Sequence, residues 1–193
     1  MIVVNFFAEP SAGKSVASAY TFAELKKKNY NAEYLQEFAK EKLYEKNDSV
    51  FQCEPYIFSK QLYRLSNLND NIDVAITDSP ILLPCFYEKD LEAKELLEKM
   101  SLYYFNKFNN INYFIIRNHN YEKKGRFQNE DESRTIKNDI LDVLHLYKIP
   151  FKYILSTDIN ENFIDDLILK IKKINEITKN NKSLKIGGVS CEF

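Results

Sequence analysis

Residues 8–15, Ala-Glu-Pro-Ser-Ala-Gly-Lys-Ser, follow the apolar run Ile2-Val3-Val4-Asn5-Phe6-Phe7 and precede the small-residue stretch Val16-Ala17-Ser18-Ala19. A Gly-Lys-Ser turn between a strand pattern and a helix pattern is the signature of a phosphate-binding loop. Backbone N–H groups of such a loop wrap an anion at a helix N-terminus, where the partial positive charge of the peptide dipoles collects. On this pattern Ser11, Ala12, Gly13, Lys14, Ser15 and Val16 cradle a nucleoside triphosphate. Lys14 supplies mobile positive charge for the β- and γ-phosphates, and Ser15 offers a hydroxyl to Mg²⁺. The first position is Ala8 instead of glycine, and Glu9 and Pro10 are less usual residues at their positions. Pro10 has no N–H, so one potential phosphate contact is absent.

The loop fixes the fold class because the rest of the chain repeats its pattern. Apolar strands alternate with helical stretches, which implies an α/β protein with a parallel sheet and helices on both faces. Strands are predicted near Ile2–Phe7, Ala32–Gln36, Asp73–Thr77, Ile111–Arg117 and Phe151–Leu155. Helices are predicted at Gly13–Lys28, after Glu37, and at Phe51–Leu68, Leu91–Phe108, Glu132–Tyr147 and Asn160–Ile177. A polar segment of about residues 118–134, with its single glycine at Gly125, reads as a lid. The expectation is one domain over 1–178, followed by a poorly ordered tail at 179–193.

Composition narrows the partners. A chain of 193 residues with 45% apolar and 28% charged side chains suits one domain with a small lid. A net charge of -1 argues against wholesale wrapping of nucleic acid. Six lysines between Lys170 and Lys185 are either a polyanion-attracting patch or a solvated helix face. Cys53, Cys85 and Cys191 are odd in number and lack metal spacing, which fits reduced thiols in the cytoplasm. No apolar run is long enough to cross a membrane.

Several residues stand where chemistry is done. Asp78 ends an apolar strand, as a carboxylate that reaches Mg²⁺ or as a turn-forming residue in Asp-Ser-Pro. Glu37 follows the second strand, as a base that takes a hydroxyl proton or as a first-turn helix acid. Arg126 and Arg134, with Lys123 and Lys124, are either lid cations over a triphosphate or ordinary surface charge. Arg117 ends the fourth strand, placed to stack on a base or to neutralise phosphate. Tyr56, Gln61 and Arg64 lie on the helix before the third strand, facing an acceptor or packing in the core. The stretch Leu102-Tyr103-Tyr104-Phe105 is a candidate homodimer surface.

Four segments together resemble the small P-loop ATPase and kinase-like proteins of bacteriophages. They are Phe7–Ser15, Glu37-Phe38-Ala39-Lys40, Thr77-Asp78-Ser79-Pro80 and Gly125–Glu130, and the resemblance spans about residues 1–155. Such proteins look like relatives of nicotinamide riboside kinase, of deoxynucleoside and nucleoside monophosphate kinases, and of phage kinases acting on 5-hydroxymethyluracil in DNA. The resemblance implies a three-layer P-loop fold of the kinase type, strand order 2-3-1-4-5, a lid, ATP and Mg²⁺. It matches Lys14 and Ser15 to the loop pair, Asp78 to the acid after strand three, Glu37 to the base and Arg126 to the lid arginine. It implies transfer of the ATP γ-phosphate to a nucleoside, a nucleotide or a modified base, in a host-cell cytoplasm if phage-encoded. A nucleotide-dependent ATPase switch and a kinase acting on DNA are the alternatives.

Overall fold

The computed structural model describes residues 1–68, 71–121 and 129–186. Five strands form one parallel sheet in the order β2-β3-β1-β4-β5, as the resemblance implies. They are β1 (Ile2–Phe7), β2 (Ala32–Leu35), β3 (Val74–Thr77), β4 (Asn109–Ile116) and β5 (Lys152–Leu155). The helices are α1 (Lys14–Lys27), α2 (Phe38–Tyr44), α3 (Glu54–Leu68), α4 (Leu91–Phe105), α5 (Glu130–Leu146) and α6 (Glu161–Ile186). The chain divides into two compact units, Met1–Ile159 and Asn160–Phe193. The first holds the whole sheet, and α6 belongs to the second.

All six residues of β1 are buried, the pattern of a parallel strand covered on both faces. The strand sits at the centre of the sheet, with Asn5 level with Thr77 on one side and Asn112 on the other. A buried amide in a central strand needs partners. Asn5 donates to Asn110 at 2.9 Å and to Asn112 at 3.0 Å, which fixes the β1–β4 register with polar as well as apolar contacts. The C-terminal ends of β1, β2, β3 and β4 lead into Ala8, Gln36, Asp78 and Arg117, at the sheet edge where open α/β folds bind ligands.

Helix α1 buries Ala17, Ser18, Thr21 and Leu25, mostly small side chains that let it lie close to its neighbours. In α3 the buried residues Glu54, Ile57, Phe58, Gln61 and Leu65 recur at helical spacing and face inward. Aromatic rings fill much of the core. Phe7 meets Phe105, and Phe114 meets both Phe151 and Tyr153.

Several boundaries differ from the sequence expectation, mostly by one or two residues, and three differ by more. A 3-10 turn at Asp48–Gln52 precedes α3, and Pro55 takes the first turn of the helix, where its missing N–H costs nothing. Helix α4 stops at Phe105 instead of Phe108. Helix α6 runs past Ile177 to Ile186, since no glycine or proline interrupts residues 161–186. In the stretch proposed as a dimer surface, Leu102 and Phe105 are buried and only Tyr103 is strongly exposed, at 61%. Lys107 lies over the rings of Tyr103 and Tyr104. Among the described residues no helix is long and apolar enough to cross a membrane.

Phe114 is fully buried at the centre of β4. Phe114→Ala is expected to destabilise the protein by about 3–5 kcal/mol, measured by urea unfolding.

Candidate active site at the strand ends

The loop after β1 is bent by two left-handed residues, Ser11 at φ 66° and Gly13 at φ 90°. A Cβ on Gly13 would meet Ser156 at an ordinary 3.5 Å, so backbone conformation demands glycine there, not space. Among the described residues no side chain caps α1, and its first turn holds no acid. An anion at this terminus would meet the positive end of the helix dipole with no acid beside it. Lys14 Nζ is folded over the loop, donating to the carbonyls of Ala8 at 3.0 Å and Glu9 at 3.1 Å.

A cavity of about 950 Å³ opens against this loop. Ser11, Ala12, Gly13, Lys14, Ser15 and Val16 line it, together with Glu37, Glu54, Glu88 and Lys89. Glu37 is the N-cap residue of α2, but its side chain makes no capping hydrogen bond and its place is in the cavity wall. Its position at the start of α2 suits either sequence option, a base at the cavity or an acid favoured by the helix dipole.

Asp78 is buried one residue past β3 and engaged at both oxygens. Tyr34 donates its phenol to Oδ2 at 2.8 Å, and the Glu37 backbone N–H donates to Oδ1 at 3.1 Å. The Ser15 hydroxyl hydrogen-bonds to the same phenol. Burial, and then the Asp78 charge, hold Tyr34 well above the ordinary phenol range, so it stays the O–H donor. Tyr34 thus ties the loop serine to the strand-end carboxylate. Ser15 and Asp78 are hard oxygen donors, which suits Mg²⁺ sharing its shell with phosphate oxygens and water. Among the described residues no cluster of three or more His, Cys, Asp or Glu forms a protein-only metal cage.

Glu54 opens α3 at 7% exposure and lines the cavity. Burial, reinforced by the charges of Glu88 and Glu37, pushes its carboxyl up to about 8. Near neutrality it therefore carries a proton that it can donate in a hydrogen bond.

The other expected site residues have structural partners. Gln61 is buried, accepting from the Phe38 N–H at 3.3 Å and donating to the Gln36 carbonyl at 3.4 Å. It clamps the β2–α2 turn on both sides of Glu37. Arg64 forms a fork with Glu41, two contacts of 2.8 Å, and lies 5.1 Å from the Phe38 ring centre. That guanidinium holds the Glu41 carboxyl below its usual range. Tyr56 packs edge-on against Phe38. None of these three lines the cavity. Arg134 is 64% exposed and pairs with Glu130 and Asp131. Arg117 is only 9% exposed and pairs with Glu9 and Glu130 at 3.4 Å each. Arg126, with Lys123, Lys124 and Gly125, lies outside the described residues.

Sequence reasoning missed Glu54, Tyr34 and the partners of Glu9. Glu54 gave no signal, because an acid in the first turn of a helix is ordinary. Glu9 gave one: a carboxylate inside a phosphate loop needs a cation, and Arg117 ends the neighbouring strand.

No protein-family model matches the sequence, and none of the curated proteins matches it. Solved structures do match its fold. Deoxyadenosine kinase from M. mycoides with bound dATP superposes with a TM-score of 0.54 at 18% identity, over 90% of this chain and 99% of that one. The same kinase with the products dCMP and a flexible dCDP gives 0.51 at 17%, with the same coverage. The chain therefore has the three-layer P-loop fold found in nucleoside kinases.

Glu54 makes stability depend on pH with a definite sign. Its folded value lies near 8 and its unfolded value near 4.5, so the native state holds the proton more tightly. The contribution is whole below about pH 4.5 and is lost as pH rises towards 8. Glu54→Gln is expected to gain on the wild type across that window, by at most about 5 kcal/mol, with no further gain above it. Urea unfolding between pH 5 and 9 measures the difference; parallel curves would remove the buried proton.

Proposed function

We propose that this protein is an ATP- and Mg²⁺-dependent kinase that transfers the γ-phosphate to a hydroxyl of a nucleoside, working in the cytoplasm where ATP is supplied. One observation carries the reading: the phosphate loop and the uncapped Glu37 carboxylate share the wall of one cavity large enough for two ligands. The likeness in fold to deoxyadenosine kinase supports the choice of a nucleoside as acceptor.

The division of labour follows from the chemistry. The loop amides of residues 11–16 hold the β- and γ-phosphates, and Lys14 leaves the carbonyls of Ala8 and Glu9 to follow the transferring group. Ser15 and Asp78 hold Mg²⁺, which when bound offsets phosphate charge. Glu37 accepts the proton of the attacking hydroxyl as the new O–P bond forms and the bond to the β-phosphate oxygen breaks. Glu54, carrying its proton, orients the acceptor from the cavity wall. Gln61 keeps Glu37 in place from behind. Arg126 is the lid cation of this reading, with Arg134 beside the lid.

A panel of nucleosides, nucleoside monophosphates and DNA incubated with γ-labelled ATP and Mg²⁺ tests the proposal. Label in a nucleoside supports it; label in inorganic phosphate alone points to an ATPase, and label in DNA to a polynucleotide kinase. Glu37→Gln is expected to slow transfer about 10²–10⁴-fold while MgATP still binds. Lys14→Ala is expected to cut kcat by at least about 10²-fold. Transfer at the wild-type rate in Glu37→Gln would assign the base elsewhere.

A further inference from the structure

A phosphate cradle is built to hold an anion, and this one contains a carboxylate. Glu9 stands two residues past β1, inside the loop, with a side chain only 5% exposed. Left alone, that charge would repel a triphosphate through a medium that screens poorly. It is not left alone. Arg117 Nη2 lies 3.4 Å from Glu9 Oε2, and the Ser133 hydroxyl donates to the same oxygen at 3.1 Å. Ser133 also lies 3.3 Å from the Pro10 carbonyl. Three separate parts of the first unit therefore meet on one carboxylate: the loop, the end of β4 and the first turn of α5.

The backbone explains why this matters beyond charge. Pro10 has a fixed φ and no N–H. The next residue, Ser11, sits at φ 66°, a conformation that a side chain makes costly unless neighbours enforce it. Contacts to the Glu9 side chain and the Pro10 carbonyl grip the chain immediately before that bend. The start of α5 is itself held by a capping box, in which Asn129 accepts from the Glu132 N–H at 2.9 Å and Glu132 accepts from the Asn129 N–H at 2.7 Å. Ser133 is thereby presented from a rigid turn.

We propose that Arg117 and Ser133 are positioning residues that hold the Glu9 carboxylate out of the phosphate cradle and set the Ser11 bend, so that Arg117 serves the donor loop through Glu9 and not by touching the nucleotide. The proposal rests on the reading of the loop as a nucleotide site. It also alters the role expected for Arg117 from its place at a strand end. The guanidinium is committed to Glu9 and Glu130 through Nη2, and its Nη1 is enclosed with no hydrogen-bond partner among the described residues.

The test is a double-mutant cycle read by calorimetric titration with MgATP. Arg117→Gln leaves Glu9 buried and unpaired, and is expected to weaken MgATP binding at least about tenfold. Glu9→Gln is expected to bind as tightly as wild type or tighter. The double variant Glu9→Gln/Arg117→Gln is expected to return to within about threefold of wild type, since neither charge then lacks its partner. A double variant as weak as Arg117→Gln means that Arg117 touches the nucleotide, and overturns the proposal; so does wild-type binding in Arg117→Gln. Amide hydrogen exchange of residues 11–15, measured without nucleotide, is a second readout. Exchange is expected to quicken in Arg117→Gln and to recover in the double variant. If the wild type binds no MgATP, the nucleotide reading falls, while the exchange pattern still decides whether the latch exists. Should Arg117→Gln fail to fold, Ser133→Ala against Glu9→Gln/Ser133→Ala carries the same comparison at about threefold amplitude; no weakening in Ser133→Ala counts against the proposal.

Discussion

A phosphate-binding loop concentrates positive potential, and this chain surrounds its loop with carboxylates. Glu37 and Glu54 line the cavity, Glu9 lies within the loop, and Asp78 is joined to Ser15 through Tyr34; a negative charge on any of them opposes the binding of a triphosphate. The architecture follows from how each is managed. Arg117 neutralises Glu9, and Tyr34 with the Glu37 backbone N–H occupies both oxygens of Asp78. Burial makes Glu54 retain its proton. Glu37 lines the cavity beside Glu54 and makes no side-chain cap on its own helix.

Each of these solutions depends on strand order. Tyr34 reaches Asp78 because β2 and β3 are neighbours in register, with Leu35 level with Thr77. Arg117 reaches Glu9 because β4 flanks β1 on the other side, with Phe114 level with Phe7. Placing β1 at the centre of the sheet gives its loop a partner from each side. The Asn5 contacts to Asn110 and Asn112 help to hold that register, so a polar ladder in the sheet interior bears on the geometry of a loop several residues away.

What the sequence made legible was whatever is local in the chain. The place of Gly13, Lys14 and Ser15 in a turn between β1 and α1 was legible because strand, turn and helix follow one another without interruption. The places of Glu37 and Asp78 just past β2 and β3 were legible for the same reason. Tyr56, Gln61 and Arg64 were harder. Helical spacing groups Gln61 with Ile57, Phe58 and Leu65, which is the face that turned out to be buried. It does not say that Phe38 lies over that helix or that Glu41 waits for Arg64. Tyr34 and Glu54 could not be read at all, and Glu9 signalled only the need for a cation, since the partners lie as far as 124 positions along the chain. A carboxylate's role there is set by its neighbours in space, and a single sequence leaves those neighbours unspecified.

Two of the carboxylates are managed by different means, and the difference bears on pH. At Glu9 the compensating charge comes from an arginine, which holds its charge at every physiological pH. At Glu54 the charge is removed by a proton, held near neutrality by burial and by two neighbouring carboxylates. The contact that grips the loop is therefore insensitive to pH, whereas the cavity wall at Glu54 is not. Under the kinase reading proposed above, a group that accepts the Glu54 hydrogen bond would stabilise the protonated form, and an added negative charge there would meet Glu37 and Glu88 as well. On that reading a neutral acceptor with a hydrogen-bond-accepting edge fits this wall and a phosphorylated one does not.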